Sequence, residues 1–312
     1  MASDFPVDDA QIAQTGDTMF AGYLDPVQAQ DYFAEAEKVS VVQRVARKIP
    51  MGTTGVKIPH WTGDVSASWL GEGDMKPITK GDLESQTVVP SKIATIFVAS
   101  AETVRANPAN YLNTMRTKVA TAIALSFDSA VLHGTDTPFG AYVDQATTSV
   151  SIGDPDTESA YSAIGVTALG ALVNGDPPYK WTGTLLDDVA EPLLNGALDL
   201  NGRPLFVEST YEGLVNPYRE GRILGRQTYI SDHVATGTTV GYQGDFSTIV
   251  WGQVGGLSFD VSDQATLNLG TFAAPNLVSL WQHNLVAVRV EAEYGALVND
   301  PDAFVKLTNT TA

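Results

Sequence analysis

The chain contains no cysteine, and this absence excludes disulfide bonds, thiolate metal sites and cysteine nucleophiles. No apolar run approaches the length of about 18 residues that suggests a membrane-spanning helix. The first ten residues, MASDFPVDDA, have neither a basic leader nor an apolar core, so we do not expect a signal peptide. Any covalent link between copies of this chain would therefore need chemistry other than a disulfide.

Positive charge is scarce. The 312 residues include 18 Lys and Arg against 36 Asp and Glu, which gives a net charge of −18. Such a chain repels nucleic acid at long range, so sequence-specific DNA recognition is not expected. The charge favours solubility, and it would equally suit a container whose wall must not adhere to DNA inside it. The length allows a large core and predicts about two domains.

The usual catalytic signatures are also missing, since there is no G-x-S-x-G, no P-loop and no H-E-x-x-H. Gly71-Glu72-Gly73 begins a G-x-G motif, but Lys76 stands where the third glycine is needed. We predict no cofactor from this pattern. An enzyme with a familiar catalytic motif is therefore disfavoured.

Metal sites are not predicted either. Asp154-x-Asp156-x-Glu158 resembles a calcium loop, but Ser159 occupies the position that needs glycine. These three acidic residues are better explained as a loop cluster that caps the following helix. The four histidines are expected to lie far apart in different elements: His60, His133, His233 and His283.

The first half of the chain predicts an extended arm over residues 1–25 and a helix over 27–38. Residues 39–49 fit either the end of that helix or a strand. Residues 56–93 then predict a long two-stranded excursion with a polar tip around 71–81. Because an isolated hairpin is only marginally stable in water, this excursion must lie on something else, and a neighbouring subunit is the natural candidate.

A long helix is predicted over residues 108–133. Asn107 would cap it, Pro108 would occupy its first turn, and Gly134 would end it. Residues 151–275 then have a mixed pattern of short elements, which predicts a second domain inserted into the first. Its helices are expected at 158–173 and 187–198, and its strands at 181–186, 205–208, 227–231, 248–251 and 257–262.

The end of the chain predicts a hairpin-like pair of strands at residues 284–294 and 303–307, joined by a turn at 299–302. Alternation along the first strand places Val286, Val288 and Val290 on one face. It places Arg289 and Glu291 on the other face. Polar residues are therefore set into an otherwise apolar strand.

The order of these features, together with several short signatures, resembles the major capsid proteins of tailed double-stranded DNA bacteriophages with the Hong Kong ninety-seven type fold. The resemblance covers residues 24–307. Its signatures are Trp69-Leu70-Gly71-Glu72-Gly73 with Lys76-Pro77, Ser100-Ala101-Glu102, Leu198-Asp199-Leu200-Asn201-Gly202-Arg203, Ile223-Leu224-Gly225, Gly244-Asp245-Phe246-Ser247, Arg289-x-Glu291 and Asp300-Pro301-Asp302-Ala303-Phe304.

The resemblance implies an α+β fold with an N-terminal arm (1–25) and an extended β E-loop (56–93). It further implies a discontinuous peripheral domain (26–55, 94–150 and 276–312), whose spine helix spans about 108–133, and an inserted axial domain (151–275). The implied function is self-assembly into the pentamers and hexamers of an icosahedral shell that encloses double-stranded DNA.

The prototype of this family also cross-links itself, and the resemblance carries this chemistry onto three residues. Lys76 matches the nucleophilic lysine, Asn284 the asparagine and Glu291 the assisting glutamate. Seven residues of strand span roughly 23 Å, so Glu291 is not expected to serve Asn284 of its own chain. The three residues would come from different subunits and meet only after assembly.

Simpler roles remain open for all three. Lys76 would then be a solvated loop lysine, Asn284 a polar group at the end of a strand, and Glu291 a salt-bridge partner of Arg289. Lys80 is a nearby competitor for the nucleophile.

The expected partners are further copies of the chain, a portal, decoration proteins, and either a separate scaffolding protein or none, with no membrane. Unlike the prototype, the chain begins with only a short arm, so no maturation cleavage is expected there. The expected location is the virion, after assembly in the host cytoplasm. One alternative is an encapsulin-type nanocompartment shell, and the alternative of another class is a soluble hydrolase or binding protein.

Overall fold

The structure is a computed structural model that describes residues 12–13, 40–61, 67–72, 75–76, 78, 83–107, 111–152, 160–196, 207–208, 219–271 and 274–309. The helices are α1 (Val41–Val45), α2 (Ala101–Ala106), α3 (Tyr111–Leu132), α4 (Ala160–Ser162), α5 (Leu169–Val173) and α6 (Glu191–Asn195), with a π-helical segment (Ala163–Ala168) between α4 and α5. Single 3-10 turns occur at Val143–Gln145, Asp188–Ala190, Phe246–Thr248 and Pro301–Ala303.

The strands in chain order are β1 (Ile12–Ala13), β2 (Arg47–Lys48), β3 (Val56–Trp61), β4 (Leu83–Val88), β5 (Ser91–Ser100), β6 (Ser149–Ser151), β7 (Gly183–Leu186), β8 (Val207–Glu208), β9 (Arg219–Ile223), β10 (Arg226–Ile230), β11 (Thr239–Gly244), β12 (Ile249–Ser262), β13 (Thr266–Asn268), β14 (Leu277–Ser279), β15 (Leu285–Val298) and β16 (Phe304–Thr308).

A five-stranded sheet in the order β1-β5-β15-β12-β2 forms the first layer of the fold. β15 runs antiparallel to both of its neighbours. Alternate residues of β15 point into the core, where α3 packs across them and the Phe127 and Tyr294 rings lie 5.0 Å apart. Burial of this apolar face provides the main driving force for the pairing of sheet and helix.

A seven-stranded sheet in the order β6-β16-β11-β7-β10-β9-β8 forms the second layer. β7 is buried along its whole length and lies between β11 and β10. The segment from α4 to α5 packs on this sheet through Ile164 and Leu172, which are both buried. The two sheets therefore carry different packing elements, α3 on the first and the segment from α4 to α5 on the second.

The excursion of residues 56–93 begins as the predicted antiparallel pair, in which β3 and β4 match from Val56 opposite Val88 to Trp61 opposite Leu83. Val88 is buried and approaches Gly295 of β15. The base of the excursion is thus anchored on the five-stranded sheet.

The long helix is confirmed over Tyr111–Leu132, whereas Pro108 lies outside the described residues. Asn107 ends α2 in a left-handed conformation with φ of 41°. In the ambiguous segment 39–49, α1 begins at its own N-cap, Ser40, and the strand alternative is correct only for β2, which follows after Ala46. The predicted helix at 27–38 and the acidic cluster at 154–158 lie outside the described residues.

The predicted terminal hairpin is wrong. β15 belongs to the five-stranded sheet, whereas β16 pairs with β11 and β6 in the seven-stranded sheet. Both edges of β15 are already occupied by β5 and β12, so no edge remains for β16. The turn at 299–303 therefore carries the chain from one sheet to the other.

The strands predicted at 248–251 and 257–262 are one strand, β12, which is interrupted by an irregularity between Val254 and Ser258. Gly255 lies there with φ of 68°, a conformation that glycine adopts without steric cost. Because β12 pairs with β15, these residues join the five-stranded sheet, although the sequence division grouped them with the inserted domain. Conversely, β16 joins the seven-stranded sheet.

Candidate functional site

The outer face of β15 carries the charged residues that the sequence singled out. Arg289 is exposed, and Glu291 and Glu293 are partly buried, while the residues between them point into the core. On the neighbouring strands, Glu291 lies opposite Ala94 of β5 and Ser258 of β12. The predicted alternation of faces is therefore correct for this part of the strand.

Glu291 lies between two cations on this face. Its Oε2 is 3.5 Å from Lys92 Nζ, and its Oε1 is 3.3 Å from Arg289 Nε. Arg289 also donates to Asp260 at 2.8 Å, and this hydrogen bond, followed by the charge of Glu291, raises the pKa of Arg289. The suggested ion pair between Glu291 and Arg289 exists, and Lys92 is an additional partner that the sequence did not indicate.

Asn284 precedes β15 and does not lie within it. It closes the turn that begins at Leu280, and its φ is 55°. Asparagine is among the residues that tolerate this left-handed conformation best. Its carbonyl accepts the Ala101 N–H at 2.9 Å, and its side-chain Nδ2 donates to Glu102 Oε1. The exposed carboxamide is thus held at the start of α2.

Lys76 lies near the tip of the excursion and is exposed. Around it, three large apolar side chains are almost fully open to solvent, with exposures of 104% for Trp69, 92% for Met75 and 99% for Ile78. A monomeric protein seldom exposes such residues together, and groups of them mark interaction surfaces.

The three predicted cross-link residues do not meet within one chain. Among the described residues, no hydrogen bond or ion pair joins Lys76 to Asn284 or to Glu291. Glu291 lies six positions after Leu285 along β15, a rise of roughly 20 Å. The sequence missed Glu102, although Ser100-Ala101-Glu102 was noted as a signature, because contact between residues 102 and 284 depends on strand pairing.

The expectation that all four histidines lie far apart is wrong for two of them. His133 lies close to His233. Burial lowers the pKa of His133, while the charge of Asp144 and a hydrogen bond with the His233 backbone oppose the shift. Across the described ranges, no group of three or more His, Asp or Glu residues is arranged to hold a metal ion. No helix in the described part of the chain is long and apolar enough to span a membrane.

Comparison with known proteins decides the family. A family model described as "Phage capsid family" matches residues 22–309. The chain belongs to the phage capsid family. It is therefore a structural protein of a virion and, by family, not an enzyme.

Individual relatives agree with this assignment. The chain is 69% identical over 312 residues to the probable major capsid protein gp17 of Mycobacterium phage L5, covering 98% of this chain and 95% of that protein. It is 67% identical over 309 residues to the probable major capsid protein gp17 of Mycobacterium phage D29, covering 99% and 96%.

Solved structures share the fold at low sequence identity. A chain from Mycobacterium phage Adephagia superimposes with a TM-score of 0.72 at 18% identity and covers 95% of this chain and 98% of its own length. A chain from Gordonia phage Cozz gives a TM-score of 0.66 at 20% identity and covers 92% and 91%. The predicted fold class, α+β of the Hong Kong ninety-seven type, is thus confirmed.

Proposed function

We propose that this capsid protein assembles into the pentamers and hexamers of an icosahedral shell that encloses double-stranded DNA. The observation that carries the proposal is the tip of the excursion, where Trp69, Met75 and Ile78 are exposed by 92% or more. No described part of the same chain covers them. A second copy of the chain is the natural cover in a closed shell, since such shells repeat one interface many times.

The domain division is part of this proposal. The five-stranded sheet with α3 would be the peripheral domain, the seven-stranded sheet the axial domain, and the excursion the E-loop. The pairing of β12 with β15 supports moving residues 249–262 to the peripheral domain. The pairing of β16 with β11 supports moving residues 304–308 to the axial domain.

We further propose that Lys76 of one subunit forms an isopeptide bond with Asn284 of another. The lysine nitrogen attacks the carboxamide carbon and a new C–N bond forms. The bond from that carbon to Asn284 Nδ2 breaks, and this nitrogen takes up the two protons that the lysine ammonium loses and leaves as ammonium. At pH 7 only about 0.04% of an ordinary lysine is neutral and nucleophilic. A proton acceptor is therefore needed, and Glu291 is the proposed one.

In the part of the chain that the structure describes, Lys76, Asn284 and Glu291 do not form a complete site for this reaction. Glu291 is partly exposed, at 21% of its side chain, and is paired with Lys92 and Arg289. The Lys76-bearing tip would have to cover such a carboxylate and exclude water before the amine could lose its proton. This geometry supports a reaction that is switched on by shell formation.

The test is a denaturing gel of boiled particles. Wild-type particles should give a ladder of multimers, and Lys76→Arg should reduce it to a single band, because a guanidinium is not deprotonated at physiological pH. Lys80→Arg is the matched control and should keep the ladder. Wild-type particles that run only as monomer would refute the cross-link, and a ladder that survives Lys76→Arg but disappears in Lys80→Arg would reassign the nucleophile.

The shell itself is tested separately by electron microscopy of the same particles. DNA-filled shells many tens of nanometres wide would support the proposal. Smaller, protein-filled shells would indicate a nanocompartment instead, and a strictly monomeric protein would contradict both. The portal, scaffolding and decoration partners, and assembly in the host cytoplasm, stay predictions.

A further inference from the structure

Glu102 contacts the one carboxamide that the proposed cross-link consumes. Its Oε1 accepts a hydrogen bond from Asn284 Nδ2. An ionised carboxylate only accepts hydrogen bonds, so the amide nitrogen must face Glu102. The side-chain oxygen of Asn284, Oδ1, is then directed away from Glu102.

The backbones of both residues are fixed by independent contacts. Ser100 is the N-cap of α2 and accepts the Thr103 N–H at 3.1 Å, and both side chains are buried. Ala101 donates to the Asn284 carbonyl at 2.9 Å, directly beyond the pairing of Ser100 with Leu285. Glu102 and Asn284 are therefore held side by side by the end of the β5–β15 ladder.

We infer that Glu102 orients the Asn284 carboxamide for attack by the lysine of a neighbouring subunit and stabilises the ammonium that leaves. This inference rests on the proposed cross-link and adds a residue to it. The site would then combine Lys76 of one subunit, Asn284 and Glu102 of a second, and Glu291 of a third.

The charge balance of the reaction gives Glu102 its role. The lysine ammonium and the carboxamide are converted into a secondary amide and an ammonium ion. One positive charge is present before and after, but it moves from the lysine nitrogen to the nitrogen that was Asn284 Nδ2. The two protons that the lysine nitrogen loses, passed on through Glu291, end on that departing nitrogen.

The Glu102 carboxylate lies at the place where this positive charge appears. In the isolated chain both side chains are exposed, and a hydrogen bond of this kind contributes little there. Once the loop of a neighbouring subunit covers the Glu102–Asn284 contact and excludes water, the attraction between the Glu102 carboxylate and the positive charge strengthens because the local dielectric constant falls. The contribution of Glu102 should therefore be seen in the reaction rate within shells.

Two substitutions separate its two roles. Glu102→Gln keeps an oxygen that accepts from Nδ2 but carries no charge, whereas Glu102→Ala removes both the acceptor and the charge. We expect the initial cross-linking rate to fall about tenfold or more in Glu102→Ala and by an intermediate factor in Glu102→Gln. Glu84→Gln, at an exposed glutamate of β4, is the matched control and should keep the wild-type rate.

The cross-linking rate is measured in mixed shells, in which wild-type chains of the same particle serve as the internal reference. Chains that carry a substitution are labelled with ¹⁵N and co-assembled with unlabelled wild-type chains. Samples are digested at early times, and mass spectrometry quantifies the branched peptide that joins residues 76 and 284. In this branched peptide, the fraction of the Asn284-containing half that carries ¹⁵N is measured. Dividing it by the ¹⁵N-labelled fraction of all chains in the particle corrects for unequal incorporation and gives the cross-linking rate of the variant relative to wild type.

Under-representation of the labelled Asn284 half in Glu102→Ala, with an intermediate share in Glu102→Gln, would support the inference. Equal shares for both variants and for Glu84→Gln would overturn it while leaving the cross-link in place. A wild-type share for Glu102→Gln alone would overturn the charge-stabilising role. The absence of any branched peptide in wild-type shells would overturn the cross-link and this inference together.

Discussion

At the scale of single residues, Asp128 is a buried carboxylate with hydrogen bonds to three parts of the fold. It is completely buried in α3. It accepts hydrogen bonds from the Val41 N–H at 2.7 Å and from the Ser40 hydroxyl at the start of α1. It also pairs with His233 at 2.9 Å, just beyond β10 of the seven-stranded sheet. One carboxylate thus joins α1, the long helix and the second layer.

The Asp128–His233 pair predicts a pH dependence of folding stability. Burial lowers the pKa of His233, but the hydrogen bond and charge of Asp128, assisted by Asp232, outweigh it and raise the pKa above its usual value. The folded state therefore binds this proton more tightly than the unfolded chain, whose histidine pKa is about 6.5. The resulting stabilisation is complete below about pH 6.5 and is lost as pH rises through the folded pKa.

Urea unfolding of unassembled subunits between pH 5 and 9, for wild type and His233→Gln, measures this effect. The difference in unfolding free energy between the two should be largest at acid pH and should shrink as pH rises above about 6.5. His133, whose pKa is lowered chiefly by burial, is present in both proteins, so the subtraction removes most of its contribution. A difference that does not change with pH would contradict the prediction.

At the scale of elements, local patterns predicted local structure well. The spacing of apolar residues in α3 and the alternation in β15 depend only on neighbours in sequence, and both are correct. Strand pairing depends on distant partners, which is why the terminal hairpin and the split of β12 were wrong. At the candidate site, the sequence pointed to Asn284 and Glu291 but not to their partners. Glu102, the partner of Asn284, lies in α2, and Lys92, the partner of Glu291, lies in β5, both almost two hundred residues upstream.

β11 shows an element whose glycines are required by packing. It lies between β16 and β7, and a Cβ at Gly244 would lie 2.3 Å from the Ala303 carbonyl oxygen and 2.7 Å from Phe304 Cδ1. Because the nearest of these atoms is backbone in a paired strand, it moves only at a cost. Gly244→Ala should therefore lower the unfolding free energy by about 2 kcal/mol or more.

Gly140→Ala is the matched control for this prediction, since nothing lies within 4 Å of its Cβ position. It should change stability by less than about 0.5 kcal/mol in either direction. Both variants are measured by urea unfolding of unassembled subunits. Equal stability of the two would show that the β11–β16 pairing adjusts without strain.

At the scale of the whole molecule, two features oppose each other in assembly. The net charge of −18 makes the subunits repel one another, an effect that falls as salt screens the charges. The exposed apolar tip of the excursion favours contact, because covering one tryptophan side chain of about 150 Å² contributes on the order of 4 kcal/mol. Contacts at the tip must therefore be repeated and well fitted to overcome the repulsion.

Trp69 provides a direct readout of this contact. Its side chain is fully exposed in the single chain, whereas Trp181 and Trp251 are each only 5% exposed. If the tip docks on a neighbour, acrylamide should quench Trp69 fluorescence strongly in unassembled subunits and weakly in particles. Subtracting the signal of Trp69→Phe from that of wild type isolates this residue. Trp181→Phe is the matched comparison, since Trp181 is only 5% exposed in the single chain and should be quenched weakly in both states. Equal quenching of Trp69 in subunits and in particles would mean that the tip stays in solvent, and the excursion would then have to be held in the shell by β3 and β4 alone.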